Sequence, residues 1–191
     1  MKPVPPTVVA AEERAAEHGF EHSCERGVGE MLAVLAATTR LGGRILELGT
    51  GFGVGLAWIL NGLGSRTDVE VLTLERDAER VASLAEVDFP AWVSIVEGDI
   101  EASLPALGQF DLIFADAEAG KWTGLEPTIA ALSPQGLLLV DDMDISRYDS
   151  ENDRLTVEDV RTVLITDSRL IAVELDVASG IILAARRRSV P

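Results

Sequence analysis

From Glu47 to Gly55 the chain reads Glu-Leu-Gly-Thr-Gly-Phe-Gly-Val-Gly, with a glycine at every second position from Gly49 onward. A segment without side chains lets a ligand approach bare backbone, and amides at the start of a following helix favour negative charge. Spacing excludes two common users of such turns. The dinucleotide fingerprint G-x-G-x-x-G fails in either register, because Val54 and Leu56 stand where its last glycine or alanine belongs. No Gly-Lys-Ser or Gly-Lys-Thr follows, so the segment is not a phosphate-binding P-loop. Acids then recur behind successive apolar runs: Glu75, Asp99, Asp116 and the pair Asp141-Asp142. Carboxylates there could accept hydrogen bonds, take a proton or ligate a hard cation. His18-Gly19-Phe20-Glu21-His22 meets the H-x-x-E-H pattern of inverted zinc peptidases, but Gly19 interrupts the helix that motif requires. Cys24 reads as a small buried residue rather than a nucleophile.

These residues need a frame that gathers them at one edge, and the order of elements supplies it. Residues 8–17 and 29–39 read as helices ahead of the first strand, 44–48. The glycine turn leads into a helix over 56–63. Strands follow at 69–74, 93–96, 110–114 and 137–140, with helices at 77–87 and 125–132. The strand runs RILEL, VLTL, DLIF and GLLLV are continuously apolar, as in parallel strands covered on both faces. Residues 170–177 and 180–185 are two β-rich runs separated only by Ala178-Ser179, which predicts an antiparallel hairpin. The expectation is a doubly wound α/β sheet closed by that hairpin. Residues 144–159 are irregular in pattern and with the N-terminal segment are expected to build an acceptor pocket, while Asp144 to Asp149 has a polar lid composition and reads as a solvated loop.

E-x-G-x-G-x-G after the first strand resembles motif I of the class I S-adenosylmethionine-dependent methyltransferases, and the terminal hairpin separates that fold from the dehydrogenase Rossmann fold. The resemblance covers about residues 29–188. It implies a Rossmann-like methyltransferase fold, with a mostly parallel seven-stranded sheet, a C-terminal antiparallel hairpin and helices on both faces. It also implies that Glu47, Gly49, Thr50, Gly51 and Gly53 surround the methionine part of S-adenosylmethionine. Glu75, with Arg76 beside it, would accept hydrogen bonds from the ribose hydroxyls. Asp99 and the Ile100 backbone would meet the adenine, and Asp116 would border the cofactor. Phe20 to Cys24 resembles the start of small bacterial O-methyltransferases, which implies a segment covering the cofactor with Ser23 at the methionine carboxylate.

Asp116 with Asp141-Asp142 is similar to the cation-dependent O-methyltransferases related to catechol methyltransferases. That likeness implies a Mg2+-like divalent cation held by Asp116, Asp141 and Asp142, which would lower the pKa of an acceptor hydroxyl. Two positions depart from it: Ala119 replaces a common lysine, and Asp142 an asparagine. The general base is then Lys121 or Asp116, and the alternative role for Asp141 and Asp142 is to cap their loop. Trp58, Trp92 and Trp122 are core residues or pocket walls, Trp122 being best placed for the latter. The function implied is O-methylation of a small-molecule hydroxyl. The alternatives are a module that binds the cofactor without turnover and a nicotinamide-dependent oxidoreductase.

Composition narrows the partners. Sixteen Lys and Arg against 32 Asp and Glu give a net charge of -16, which repels polyphosphate and anionic membrane surfaces. Nucleic acid and membrane are therefore not expected, and the run Arg186 to Arg188 reads as a solvated tail. No repeat or linker divides the 191 residues, so a single domain over 1–191 is expected, with an N-terminal helical cap (1–40) on a Rossmann-like core (41–188). One cysteine allows no internal disulfide and the start lacks a signal-peptide pattern, so a cytoplasmic setting is expected. The partner is a small-molecule acceptor, with a homodimer as the assembly considered.

Overall fold

The computed structural model describes residues 3–188. Its strands are β1 (Arg44–Leu48), β2 (Glu70–Glu75), β3 (Val93–Glu97), β4 (Phe110–Ala115), β5 (Leu132–Val140), β6 (Leu170–Leu175) and β7 (Ile181–Arg186). They form one sheet in the order β3-β2-β1-β4-β5-β7-β6. Neighbours from β3 to β5 pair in parallel, whereas β7 is antiparallel to both β5 and β6. The terminal hairpin thus closes the sheet as expected, with its second strand inserted against β5 and its first at the edge. Chain order reverses between β1 and β4, the switch point where open α/β sheets bind ligands outside the carboxyl ends of their strands.

The helices are α1 (Pro6–Glu17), α2 (Arg26–Thr38), α3 (Val54–Leu63), α4 (Ala78–Ser83), α5 (Ile100–Leu107), α6 (Leu125–Ala130) and α7 (Glu151–Thr166). Successive strand side chains point to opposite faces, so Ile45, Leu112, Leu139 and Ile181 pack with α1, α2 and α3. Leu46, Ile113, Leu138 and Ile182 pack with α5, α6 and α7. Both faces are covered, which is why the strands read as unbroken apolar runs. No helix among the described residues is long and apolar enough to cross a membrane.

Four elements differ from the sequence reading. Residues 151–166, which begin inside the stretch expected to be irregular and run beyond it, form α7: Ser150 caps it by accepting from the Asp153 amide at 3.4 Å, and Val157, Val160 and Leu164 supply one buried stripe under a charged exterior. No helix was expected at α5, yet Asp99 caps it by accepting from the Ala102 amide at 2.8 Å, and Ile100 and Leu104 bury one face despite Pro105. The helix expected over 77–87 stops at Ser83, because no residue of α4 is buried and buried Leu84 turns the chain inward. β5 starts at Leu132 rather than residue 137, and takes that leucine from the end of the expected helix. The register shift opposite Phe110 and Leu112 and the positive φ of Gln135 (69°) accommodate the irregular start.

Candidate active site

A cleft of about 570 Å³ opens at the carboxyl ends of β1, β2, β4 and β5, within the range of about 300–1,000 Å³ that cofactor sites occupy. One wall is the glycine turn. The amides of Gly49 and Thr50 donate to Leu74 O at 3.0 and 3.2 Å, which lays the turn over the end of β2. Gly49 has φ 96° and packs on the β4 loop, where an added Cβ would sit 2.9 Å from Ala117 Cβ. The Gly51 amide donates to Glu75 Oε2 at 2.9 Å, while Glu75 Oε1 accepts from the Asp77 amide at 3.0 Å and pairs with Arg80 at 3.5 Å. Glu75 is 4% exposed and lines the cleft with acceptor capacity to spare, since a carboxylate offers about four lone-pair sites.

Glu47 has a different environment. It is 1% exposed and absent from the cleft wall, lying on the α3 side of the sheet. Thr73 Oγ1 donates to its Oε2 at 2.6 Å and lies 2.6 Å from Thr50 Oγ1, forming a buried chain of three oxygens. Burial pushes its pKa up to about 8, against the hydrogen bond from Thr73. An added Cβ on Gly55 would lie 2.3 Å from Glu47 Oε1, so glycine at that position leaves room for the carboxyl under α3. Gly53 and Asp99 also lie outside the cleft lining, whereas Gly49, Thr50, Gly51, Glu75, Arg76 and Ile100 lie within it. Asp99 is occupied as the cap of α5.

The opposite wall carries the remaining acids. Asp116 lies at the β4 end, with its amide donating to Leu48 O at 3.0 Å. Burial drives its pKa well above the carboxylate range, Asp141, Asp142 and Glu47 raise it further, and Lys121 opposes them. Lys121 is 2% exposed. Its Nζ donates to Asp142 Oδ2 at 2.8 Å and to Asp141 O at 3.1 Å. The loop that aims it inward is a knot in which the amides of Lys121, Trp122 and Thr123 all donate to Glu118 O. Asp141 Oδ1 accepts from the Asp142 amide at 2.7 Å and from Ser179 Oγ, and Asp141 is outside the cleft lining. Burial lifts its pKa to about 6. Among the described residues no group of three His, Cys, Asp or Glu side chains could hold a metal ion. The expected triad of Asp116, Asp141 and Asp142 therefore does not fit a divalent cation, because one acid is turned to Ser179 and another is taken by an ammonium.

The linker expected to cover the cofactor and the loop expected at the acceptor pocket complete the lining, joined by Arg80, which was not singled out from the sequence. Phe20, His22, Ser23 and Cys24 come from the α1–α2 linker, Arg80 from α4, and Arg147 and Tyr148 from the loop after β5. Arg80 lies 4.7 Å over the Phe20 ring, joining the linker to the β2 side. Arg147 bonds Glu25 and donates to Ala178 O at 2.9 Å. That loop was expected to be merely solvated, but Tyr148 donates to Asp142 O at 3.0 Å and meets Trp122 edge-to-face at 5.6 Å. Among the described residues, Ser23 Oγ and Trp122 Nε1 are buried polar atoms of cleft-lining residues with no hydrogen-bond partner. His18 follows the end of α1 and stacks on Phe52 at 4.6 Å, while His22 meets Phe20, so the histidine pair is not a helical metal motif.

The profile of a family described as a methyltransferase domain matches residues 46–143, from β1 to the loop after β5. The chain belongs to this family. With its sheet order and glycine turn, it is a class I S-adenosylmethionine-dependent methyltransferase, and the nicotinamide alternative falls with that assignment. A Mycobacterium sp. protein named "Putative O-methyltransferase" is 27% identical over 94% of this chain and 86% of its own. A protein of the same name from Mycolicibacterium vanbaalenii is 29% identical over 94% and 83%. A Klebsiella pneumoniae structure so named superposes with a TM-score of 0.81 at 27% identity, covering 98% of this chain and 92% of that one. The O-methyltransferase TomG from Streptomyces achromogenes, solved with S-adenosylmethionine, shares the methyltransferase fold at a TM-score of 0.80 and 21% identity, over 97% and 91% of the two chains.

Proposed function

We propose that this methyltransferase transfers the methyl group of S-adenosylmethionine to a hydroxyl of a small molecule. The observation that carries the reading is the cleft itself, with a glycine turn and Glu75 on one wall and Asp116 facing the same space from β4. The names of its bacterial relatives support oxygen as the acceptor atom. In this reading Gly49, Thr50 and Gly51 border the methionine part, Glu75 with Arg76 holds the ribose, and Ile100 packs on the adenine. Ser23 Oγ, orphaned in the cleft, supplies a hydrogen bond to the carboxylate end. When bound, the cofactor supplies a methyl group activated by the sulfonium charge. Asp116 takes the acceptor proton, since burial makes it a stronger base than an ordinary aspartate. Lys121 does not serve as the base, because an ammonium paired with Asp142 has no lone pair. Trp122 and Tyr148 wall the acceptor end, and a net charge of -16 favours a small acceptor over a nucleic acid. A lone buried Cys24 suits a reducing, cytoplasmic setting.

The test is calorimetric titration with S-adenosylmethionine and S-adenosylhomocysteine on wild type and Glu75→Gln. Wild type is expected to bind both. Replacing one charged acceptor, worth about 1.5–3 kcal/mol, weakens binding roughly 10- to 100-fold. A wild-type protein that binds neither ligand would falsify the reading.

A further inference from the structure

We propose that the ammonium of Lys121 holds the place expected for a divalent cation between Asp116, Asp141 and Asp142, so that the acceptor end of the cleft works with a built-in single positive charge. The inference rests on the functional reading above only for the identity of the acceptor end. Its support is the disposition of Asp116, Asp141 and Asp142. A divalent hard cation needs several oxygens converging at about 2.0–2.6 Å. Here Asp141 Oδ1 accepts from Ser179 Oγ and from its neighbour's amide, Asp141 lies outside the cleft lining, and its main-chain oxygen accepts from Lys121. That oxygen and Asp142 Oδ2 converge on Lys121 Nζ, at 3.1 and 2.8 Å.

The lysine is held there by the fold. Gly120, with φ 84°, lets the chain pass so close to β1 that an added Cβ would lie 2.6 Å from Leu48 Cδ1. The three amides closing on Glu118 O then fix the next residue pointing inward. The side chain is 2% exposed and packs beside Trp122, with Nζ 5.9 Å from the ring centre. Swinging it out to admit a metal would break both hydrogen bonds, one of them the ion pair with Asp142. An ammonium has three N–H donors, and the two partners above leave one for an acceptor oxygen at the cleft. In the transfer, the acceptor oxygen forms a bond to the methyl carbon as the carbon–sulfur bond breaks. That bonding pair stays on sulfur, the hydroxyl proton passes to Asp116, and the Lys121 N–H steadies the oxygen without itself changing charge.

Mn2+ alone is the probe, titrated into the full chain while electron paramagnetic resonance follows the free ion. Wild type is expected to leave the free-ion signal unchanged at millimolar Mn2+. Lys121→Met should bind one Mn2+ at least about tenfold more tightly, because removing a unit charge a few ångströms away is worth that much or more. Asp142→Asn in the Lys121→Met background should reverse the gain. Tight stoichiometric Mn2+ binding by wild type would overturn the proposal, as would a folded Lys121→Met protein that binds Mn2+ no better than wild type. If circular dichroism shows that Lys121→Met does not fold, Lys121→Gln takes its place under the same criteria, and the wild-type arm decides without either. S-adenosylhomocysteine titrated into the same samples separates the two ideas: its failure to bind removes the functional reading but leaves the Mn2+ result intact.

Discussion

Replacing Glu47 by glutamine should change the pH dependence of stability more than any other single substitution in the glycine turn. In the folded protein this carboxyl is wholly buried under α3, and its pKa is lifted from the ordinary 4.5 to about 8 by burial, with Glu75 adding to the rise. The unfolded chain releases the proton near the ordinary value, whereas the folded chain keeps it until about pH 8. Between those limits the folded state binds more protons than the unfolded one, so stability falls as pH rises and levels off above the upper limit. At about 1.36 kcal/mol for each pH unit, the loss over the whole window is about 4–5 kcal/mol, and between pH 5 and 7.5 about 3 kcal/mol. Glutamine is close in shape and does not titrate, so the variant should escape this slope. Any fixed gain or loss from exchanging an acid for an amide next to Thr73 shifts its curve vertically without tilting it. Urea unfolding followed by tryptophan fluorescence at several pH values measures the difference in unfolding free energy between the two proteins. The variant's advantage should grow by about 3 kcal/mol from pH 5 to 7.5. A difference that stays constant across that range would refute the reasoning, because Glu47 would then be ionised in the folded protein.

Two further substitutions test the same wall and its opposite. Gly55→Ala places a Cβ 2.3 Å from Glu47 Oε1 and 3.0 Å from Phe114 Cε1. Both neighbours are buried, and overpacking of this kind costs about 1–3 kcal/mol, so thermal unfolding should show a melting temperature lower by about 2–10 °C. An unchanged melting temperature would mean that the carboxyl moves freely under α3. Asp116→Asn keeps the shape of the β4 end but removes the proton acceptor. Release of S-adenosylhomocysteine with a panel of simple phenols should slow by about 10²- to 10⁴-fold while calorimetric cofactor binding persists. Equal loss of both would reassign Asp116 to cofactor binding.

The frame was legible because its signals are strong and local. Strands covered on both faces leave unbroken apolar runs, and Ala178-Ser179 is too short a connection for a crossover helix, so the hairpin against β5 follows from length alone. The missed helices carry weaker signals. α7 has three buried residues in sixteen, and its charged exterior resembles a solvated loop. α5 is eight residues with a proline inside, held by its Asp99 cap and two buried side chains. Tertiary packing, more than propensity, makes such short helices stable.

The site was legible by position but not by role. Every acid singled out lies at the carboxyl edge of the sheet, yet the same edge serves cofactor, cap and core alike. For Glu47, strand parity was an available signal: side chains alternate across a sheet, so Glu47 shares a face with Ile45, as Thr73 does with Val71. Ile45 and Val71 lie in the core under α1, α2 and α3. Parity therefore puts the Glu47 carboxyl on the α3 face, as it does Glu75; Glu47 lies inside β1, where α3 covers it, whereas Glu75 ends β2 beside the glycine turn and lines the cleft. No such rule covers Lys121. It lies five residues beyond Asp116, in a loop whose direction depends on three amides sharing Glu118 O and on Gly120 passing against Leu48. Those contacts join β4's loop to β1, and only the folded chain brings the ammonium onto Asp142.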